Sequence, residues 1–337
     1  MPSFLRTYSP KVLVGALFFA VPAAAAENPF VGNWALTLPG GIPGWLGITQ
    51  ESNYIDASML WGWGSVNPVE SVVATDQTLV FTRMRDVHRK DAQGKALRTQ
   101  HFTDTYTAHV EGDLLMVTIA RPHENDIGMD EEKFTGRRTP PLPPAPDLAR
   151  VTFGDPIQLF NGRDLTGWRL TDPHAVNGWS AANGLLVNRV VQEEGTPHRQ
   201  FGNLRTDREF TDFDLTLETR VPKDGNSGVY IRGIYEVQVF DSYGHPLDSH
   251  NMGALYSRIT PLVSAEKPAG EWQTLDITFV ARHLTVLLNG IRIIDNQPVL
   301  GITGGALTSD EFKPGPIYLQ GDHSGIEYRN IVLRPVR

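Results

Sequence analysis

Cysteine is absent from all 337 residues. The chain therefore uses neither disulfides nor thiolate chemistry. Phosphate-binding signatures are missing too: there is no GxxxxGK[ST], and no GxGxxG between a strand and a helix. No GxSxG elbow anchors a serine-hydrolase reading. Neither HExxH nor another paired-histidine zinc spacing occurs. Positive charge is not in excess, since 30 Lys and Arg stand against 38 Asp and Glu for a net −8. Bulk charge thus gives no support to nucleic-acid binding. No apolar run approaches the ~18 residues of a membrane-spanning helix. What remains is 40% apolar and 20% charged, the balance of a globular chain long enough for two domains.

The first 26 residues form a unit of their own. Arg6 and Lys11 make a positive start, Val12 to Val21 an apolar run, and Ala24-Ala25-Ala26 a small-residue cleavage site. This is the pattern of a secretory signal peptide over residues 1–26, with Glu27 as the first mature residue. No cysteine precedes the cut, so a lipidated N-terminus is not indicated. A secreted, cysteine-free protein suits the bacterial periplasm, which is the expected location.

TPPLPPAPDLA (139–149) is proline-dense and extended. It marks a linker over residues 139–150, between a domain at 27–138 and another at 151–337. The first domain alternates short runs such as NWALTL, WLGITQ, TLVFTR and DLLMVTI with turn signals such as GGIPG and EGD. About eight short strands without helical periodicity predict a small barrel or sandwich. FVGNW, with Gly32 and Trp34, resembles the opening strand of lipocalin-like barrels, in which the Trp plugs the base. In LWGWG (60–64), Trp61 and Trp63 fall on one face of an extended segment. Uncovered indoles stack on sugar rings or meet another surface, although core packing is the commoner use.

The second domain is again all-β. Its runs include DLTLETR, GVYIRG, YEVQVFD, TLDITFV and HLTVLLNGIRIID. Asn289-Gly290 supplies two positive-φ positions for a type I′ hairpin turn. Long β segments spaced this way predict a two-sheet sandwich.

Polar residues interrupt these strands in a pattern. In GVYIRGIYEVQVFD (228–241), alternation puts Tyr230 and Arg232 on one face, with Glu236 and Gln238 sharing a face of the next strand. Val229, Ile231, Val237 and Val239 take the opposite side. A solvated outer face is the ordinary explanation; a cleft floor is the other. E-x-Q-x-x-D, from Glu236 to Asp241, is similar to the E-x-D-x-x-E of retaining endoglucanases. Here Gln replaces the middle Asp, and Asp241 would reach the Glu236 face only through a bulge. Retaining hydrolysis wants two carboxyls ~5–5.5 Å apart, so the substitutions argue against it. YLQGDHSGIEYRNI (318–331) ends a strand on Asp322-His323, a candidate proton-transfer pair or simply a turn. GHPLDSHN (244–251) groups His245, Asp248 and His250, but loop histidines beside Pro and Asn are weak evidence for a metal.

Six segments occur in a specific order: FNGRDLTGW, GNSGVYIRG, YEVQVFDSYG, the long GALYSRITPLVSAEKPAGEWQTLDITF, VLLNG, and GPIYLQGDH with YRNI. Together they resemble the 3-keto-disaccharide hydrolase domain family over about 155–337. The resemblance implies a concanavalin A-like jelly-roll sandwich whose concave sheet carries the active site. It also implies 3-keto-glycoside substrates, and hence dependence on a separate 3-dehydrogenating oxidoreductase. A C3 ketone acidifies the C2 hydrogen, so a base forms an enediolate, the C1 substituent leaves and water adds back. In these terms Glu236 or His323 is the base. Arg232 and Gln238 hold the C3 oxygen or neighbouring hydroxyls, and Gln320 and Tyr230 orient the ring. Asp322 tunes His323, and Asp241 is either the acid or a loop-ordering residue. The sequence requires no cofactor; the resemblance leaves room for a divalent ion on the ketone without placing its ligands. Ser257 falls where the family often has Gly. The competing expectations are a lectin-like carbohydrate-binding module and a conventional retaining β-glycanase.

Overall fold

A computed structural model describes residues 28–192 and 199–337. The signal-peptide reading of residues 1–26 lies outside the described residues. Within them the chain is all-β, and helix is limited to the three-residue 3-10 turns Pro39–Gly41 and Leu148–Arg150. No helix among the described residues is long and apolar enough to cross a membrane.

The N-terminal part forms one antiparallel nine-stranded sheet. Its first strand, Gly32–Thr37, pairs with both Pro43–Gln50 and the last strand, Met129–Arg138. Its two outer strands, Asn67–Pro68 and Ser71–Ala74, are neighbouring pieces of chain. Between them, Val69 N–H donates to Ala57 O at 3.0 Å and Glu70 N–H to Thr82 O at 2.9 Å. The segment thus pairs with one end of the sheet and then the other, which curls the sheet onto itself and removes its free edges. Trp34 is fully buried in the interior, its indole N–H donating to Phe30 O at 2.9 Å.

The C-terminal part is a two-sheet sandwich. One sheet is eight-stranded and includes Phe213–Arg220, Trp272–Val280, His283–Leu288, Ile291–Pro298 and Ile326–Pro335. The other has five strands in the order Trp168–Leu170, Leu204–Thr206, Tyr318–Leu319, Asn226–Ile231, Tyr235–Phe240. Phe213–Arg220 alternates buried and half-buried residues throughout, the signature of a strand with one face in the core. Leu215, Leu217, Ile277, Val286, Val229, Val237 and Leu319 belong to the single apolar cluster between the sheets. The predicted hairpin turn is present, with Asn289 at φ 54° and Gly290 at φ 82°.

The two parts meet in the apolar phase. Trp45 and Leu60 of the N-terminal sheet belong to the sandwich's core cluster, and the Arg258 guanidinium lies 4.3 Å from the Trp45 ring centre. The proline-rich segment is tied to the sandwich, with Asn296 Nδ2–H donating to Pro146 O at 3.0 Å.

Candidate active site

The outer face of the five-stranded sheet carries a cleft of about 330 Å³. Its floor follows from strand register: Tyr230 pairs with both Glu236 and Tyr318, and Gly228 pairs with Gln238. Side chains alternate, so Val229, Val237 and Leu319 enter the core. Tyr230, Glu236, Gln238, Tyr318 and Gln320 face the cleft instead. Gly228 leaves the space that Glu236 fills, since a Cβ there would sit 2.2 Å from Glu236 Oε1.

Glu236 is the central group. It is 4% exposed, and burial pushes its carboxyl up to about 8, with the negative Asp322 raising it further and the Tyr230 hydrogen bond opposing. At neutral pH the side chain is therefore mostly the protonated acid. Tyr230 Oη lies 2.8 Å from Glu236 Oε2 and donates at 2.7 Å to Gly304 O. The Tyr230 and Tyr318 rings stack at 3.9 Å. Burial holds both phenols well above their ordinary range, so both stay neutral donors. Tyr318 Oη–H donates to Gly305 O at 3.0 Å.

Asp322 and His323 also line the cleft. His323 is 46% exposed at its side chain, with Nδ1 3.3 Å from Asp322 Oδ1. Gln200 Nε2–H donates to Asp322 Oδ2 at 3.3 Å. Two buried cleft acceptors, Asn226 Oδ1 and Gln320 Oε1, have no hydrogen-bond partner among the described residues, and Asp322 Oδ1 has only His323 at ion-pair distance. Each is costly to leave unmade, and each matches a donor such as a sugar hydroxyl.

The sequence-predicted residues divide. Glu236, Gln238, Tyr230, Gln320, Asp322 and His323 all line the cleft. Arg232 does not. It takes φ 54° at the turn after Ile231, and this left-handed residue ends the alternation that would place it beside Tyr230. Its guanidinium is buried, donating to Glu311 O at 2.8 Å and to Lys313 O. Beside it, Tyr235 Oη–H donates to Glu311 Oε2 at 2.7 Å, and Arg282 pairs with that carboxylate at 3.2 Å. Asp241 is also outside the lining. The pairing of Asn226–Ile231 with Tyr235–Phe240 runs without a bulge, and Asp241 accepts from Asp224 N–H at 3.0 Å. It orders a loop.

Other cleft residues escape sequence reading. Asn226 was legible in principle, since 226, 228 and 230 share one side of a strand. Gln200, Asn203 and Tyr256 come from segments without a periodic signal. The indoles of LWGWG separate instead of sharing a face. Gly62 at φ 78° and Gly64 at φ 72° fold the segment into a turn. Trp61 packs edge-on against Tyr106 and Phe134, both at 5.7 Å, while Trp63 reaches the cleft rim.

The described residues do not by themselves assemble a divalent-ion site. Among the described residues no three His, Asp or Glu converge on one point. The cleft's two carboxyls are Glu236, held protonated, and Asp322, which faces His323 and Gln200. In the 244–251 loop, Asp248 pairs with His250, and His250 Nε2 lies 2.8 Å from Ser65 Oγ.

Comparison with known proteins bears on this cleft. A family model described as the 3-keto-alpha-glucoside-1,2-lyase-like domain matches residues 155–334. A protein of Bacteroides thetaiotaomicron named 3-keto-disaccharide hydrolase is 27% identical over 148 residues, 36% of this chain and 51% of the relative. The chain thus spans about half the length of the curated relative it matches. A Parabacteroides distasonis structure described as a candidate glycosyl hydrolase is 29% identical, with a TM-score of 0.45 over 58% of this chain and 93% of that one. A second, likewise from Parabacteroides distasonis, is 19% identical, with a TM-score of 0.44 over 54% and 94%.

Proposed function

The chain belongs to the 3-keto-alpha-glucoside-1,2-lyase-like domain family through residues 155–334, and from that premise we propose that it cleaves 3-keto-glycosides. The observation that carries the reading is a sugar-sized cleft lined by Glu236, a carboxyl buried against the sheet, together with the His323–Asp322 pair. A protonated carboxyl and a half-exposed imidazole can divide acid and base work between them.

In this mechanism His323 takes the C2 proton, and the C–H electron pair forms the C2–C3 double bond of an enolate. Asp322 holds the imidazolium, placing a positive charge beside the new oxyanion. Arg232 lies outside the cleft, so the amide donors Gln238 and Gln320 take over the C3 oxygen. The C1–oxygen bond then breaks as Glu236 gives its proton to the leaving oxygen. Water returns hydroxyl to C1 and hydrogen to C2, so the net result is hydrolysis. Asn226 Oδ1 and Gln320 Oε1 accept ring hydroxyls and fix the sugar before the proton moves. None of this needs two closely paired carboxylates.

The test incubates the protein with a glucoside and with its 3-keto derivative and follows aglycone release. Release from the 3-keto sugar alone is the expected result. One observation favours a second reading: Glu236 feels the charge of Asp322, and two carboxyls facing a sugar site also describe a retaining glycosidase. Release from the unoxidised glucoside would select it. Binding without release from either would make the protein a lectin.

The reading extends to the cell. A ketosugar substrate calls for an upstream sugar 3-dehydrogenating oxidoreductase, and the N-terminal export pattern supports a periplasmic location for the reaction. Cell fractionation with antibody detection checks the location.

A further inference from the structure

The N-terminal sheet lies outside the family match, yet it supplies part of the cleft wall. Trp63 and Gly64 line the same cavity as Asp322 and His323. Their loop is held at both ends and in the middle. Trp61 is locked into the N-terminal core against Tyr106 and Phe134. Gly305 N–H donates to Gly62 O at 3.0 Å, and a Cβ on Gly304 would fall 2.3 Å from Gly64 O. Two glycine turns, one from each part of the chain, thus lie backbone against backbone. Beyond them Ser65 Oγ meets His250 Nε2 at 2.8 Å, and Val66 N–H donates to Ser257 Oγ at 2.8 Å. Ser257 is the residue that replaces the family's frequent Gly. It keeps the left-handed backbone, at φ 60°, and adds the hydroxyl that grips the loop.

Amid this anchoring, Trp63 itself is 58% exposed. A large indole left open on a fixed loop, over a cleft of amides and hydroxyls, provides a broad apolar surface at the cleft rim. We infer that Trp63 is a stacking platform for the leaving group of the substrate, with the flat apolar face of a second pyranose ring as its preferred occupant. The floor binds the oxidised sugar through polar groups, and the rim recognises what is attached to it. A preorganised platform loses little conformational entropy on binding. The N-terminal sheet is then a specificity element of the enzyme, and the cleft is incomplete without it. This inference rests on the proposed 3-keto-glycoside reading for the identity of the oxidised sugar, and its test separates the two.

The experiment compares the wild-type full chain with Trp63→Ala and Trp63→Phe, on 3-keto-glucosides carrying methyl, glucosyl and nitrophenyl leaving groups. Calorimetric titration with glucose and an unoxidised glucosyl disaccharide runs in parallel. Trp63→Ala should raise KM for the glucosyl substrate about fivefold to tenfold with kcat little changed, and leave the methyl substrate alone. Trp63→Phe should recover most of the loss. Disaccharide binding should weaken by a similar factor, with glucose binding unmoved. Equal losses on methyl and glucosyl substrates, or none, overturn the platform while the hydrolase reading stands. A loss confined to the nitrophenyl substrate overturns the pyranose as occupant. If the wild type cleaves no 3-keto-glycoside but binds disaccharide through Trp63, the hydrolase reading fails and the platform survives. If the titrations show no dependence on Trp63 either, both fail. Trp63 is exposed, so its truncation leaves the fold intact, which a circular dichroism spectrum verifies.

Discussion

Replacing Glu236 by Gln should stabilise the protein, and by an amount set by pH. Burial lifts this carboxyl from its ordinary 4.5 to about 8. The folded state therefore keeps a proton that the unfolded chain releases above about pH 4.5. Below that pH both states are protonated, and ionisation contributes nothing to the difference between wild type and variant. As pH rises toward 8, the unfolded state is favoured by about 1.4 kcal/mol per pH unit. The wild-type deficit relative to Gln is thus on the order of 3 kcal/mol at pH 7, levelling at about 4–5 above pH 8. Gln keeps the size of the side chain and offers an N–H to Tyr230, so packing is not the variable. Urea unfolding followed by tryptophan fluorescence at about pH 5, 7 and 8.5 reads the effect directly. The curves should nearly coincide at the acid end and separate in favour of Gln as pH rises. A constant offset, or one that narrows with pH, would refute the premise that Glu236 is buried as a neutral acid. Activity gives the complementary sign. If Glu236 is the acid, kcat/KM falls above about pH 8 and the Gln variant loses about 10²–10⁴-fold; a rate that climbs through pH 8 reassigns Glu236 as the base.

Other expectations follow from the same geometry. Gly228→Ala places a methyl 2.2 Å from Glu236 Oε1; it should cost about 1–3 kcal/mol in unfolding experiments and a larger share of activity, because the displaced group is the proposed acid. His323→Ala should slow turnover about 10²–10⁴-fold with an unchanged melting curve, since the ring is half exposed. Arg232→Met should lower the melting temperature by breaking the buried bonds to Glu311 O and Lys313 O. Its KM should change little, in contrast to a ligand-binding arginine. Ser257→Ala keeps the left-handed strain and loses the acceptor for Val66 N–H, so it should destabilise by about 1 kcal/mol. Ser257→Gly loses the same bond but relieves the strain, and should be closer to neutral; thermal melts of the pair distinguish them.

Much of the cleft was legible because a strand has a period of two. Tyr230, Glu236, Gln238 and Gln320 could be assigned to one side from their neighbours alone, as the aliphatic residues between them demand the core. The reasoning failed where one dihedral changed sign. Arg232 follows Ile231 in sequence and would have continued the face, but its left-handed backbone turns the guanidinium into the protein. Gly62 and Gly64 did the same to Trp61 and Trp63, sending one indole into a core and the other to the cleft. The likeness to Gly at position 257 pointed to the rim, yet could not say that a hydroxyl there would hold another part of the chain. Contacts such as Gly62 with Gly305 join loops with no periodicity and no composition signal, and only the folded chain brings them together.

The Tyr230 phenol carries one hydrogen and stands between two acceptors. While Glu236 is protonated the count closes: the acid donates to the phenol oxygen, and the phenol donates to Gly304 O. Once the acid has discharged its proton, two acceptors compete for a single hydrogen. Gly304 is bonded directly to Gly305, whose N–H holds Gly62 on the loop that carries Trp63. The charge state of Glu236 therefore bears on a carbonyl one residue away from the contact with that loop. Tyr230 thus ties the protonation of Glu236 to the Gly304 turn, a point where the N-terminal sheet meets the sandwich.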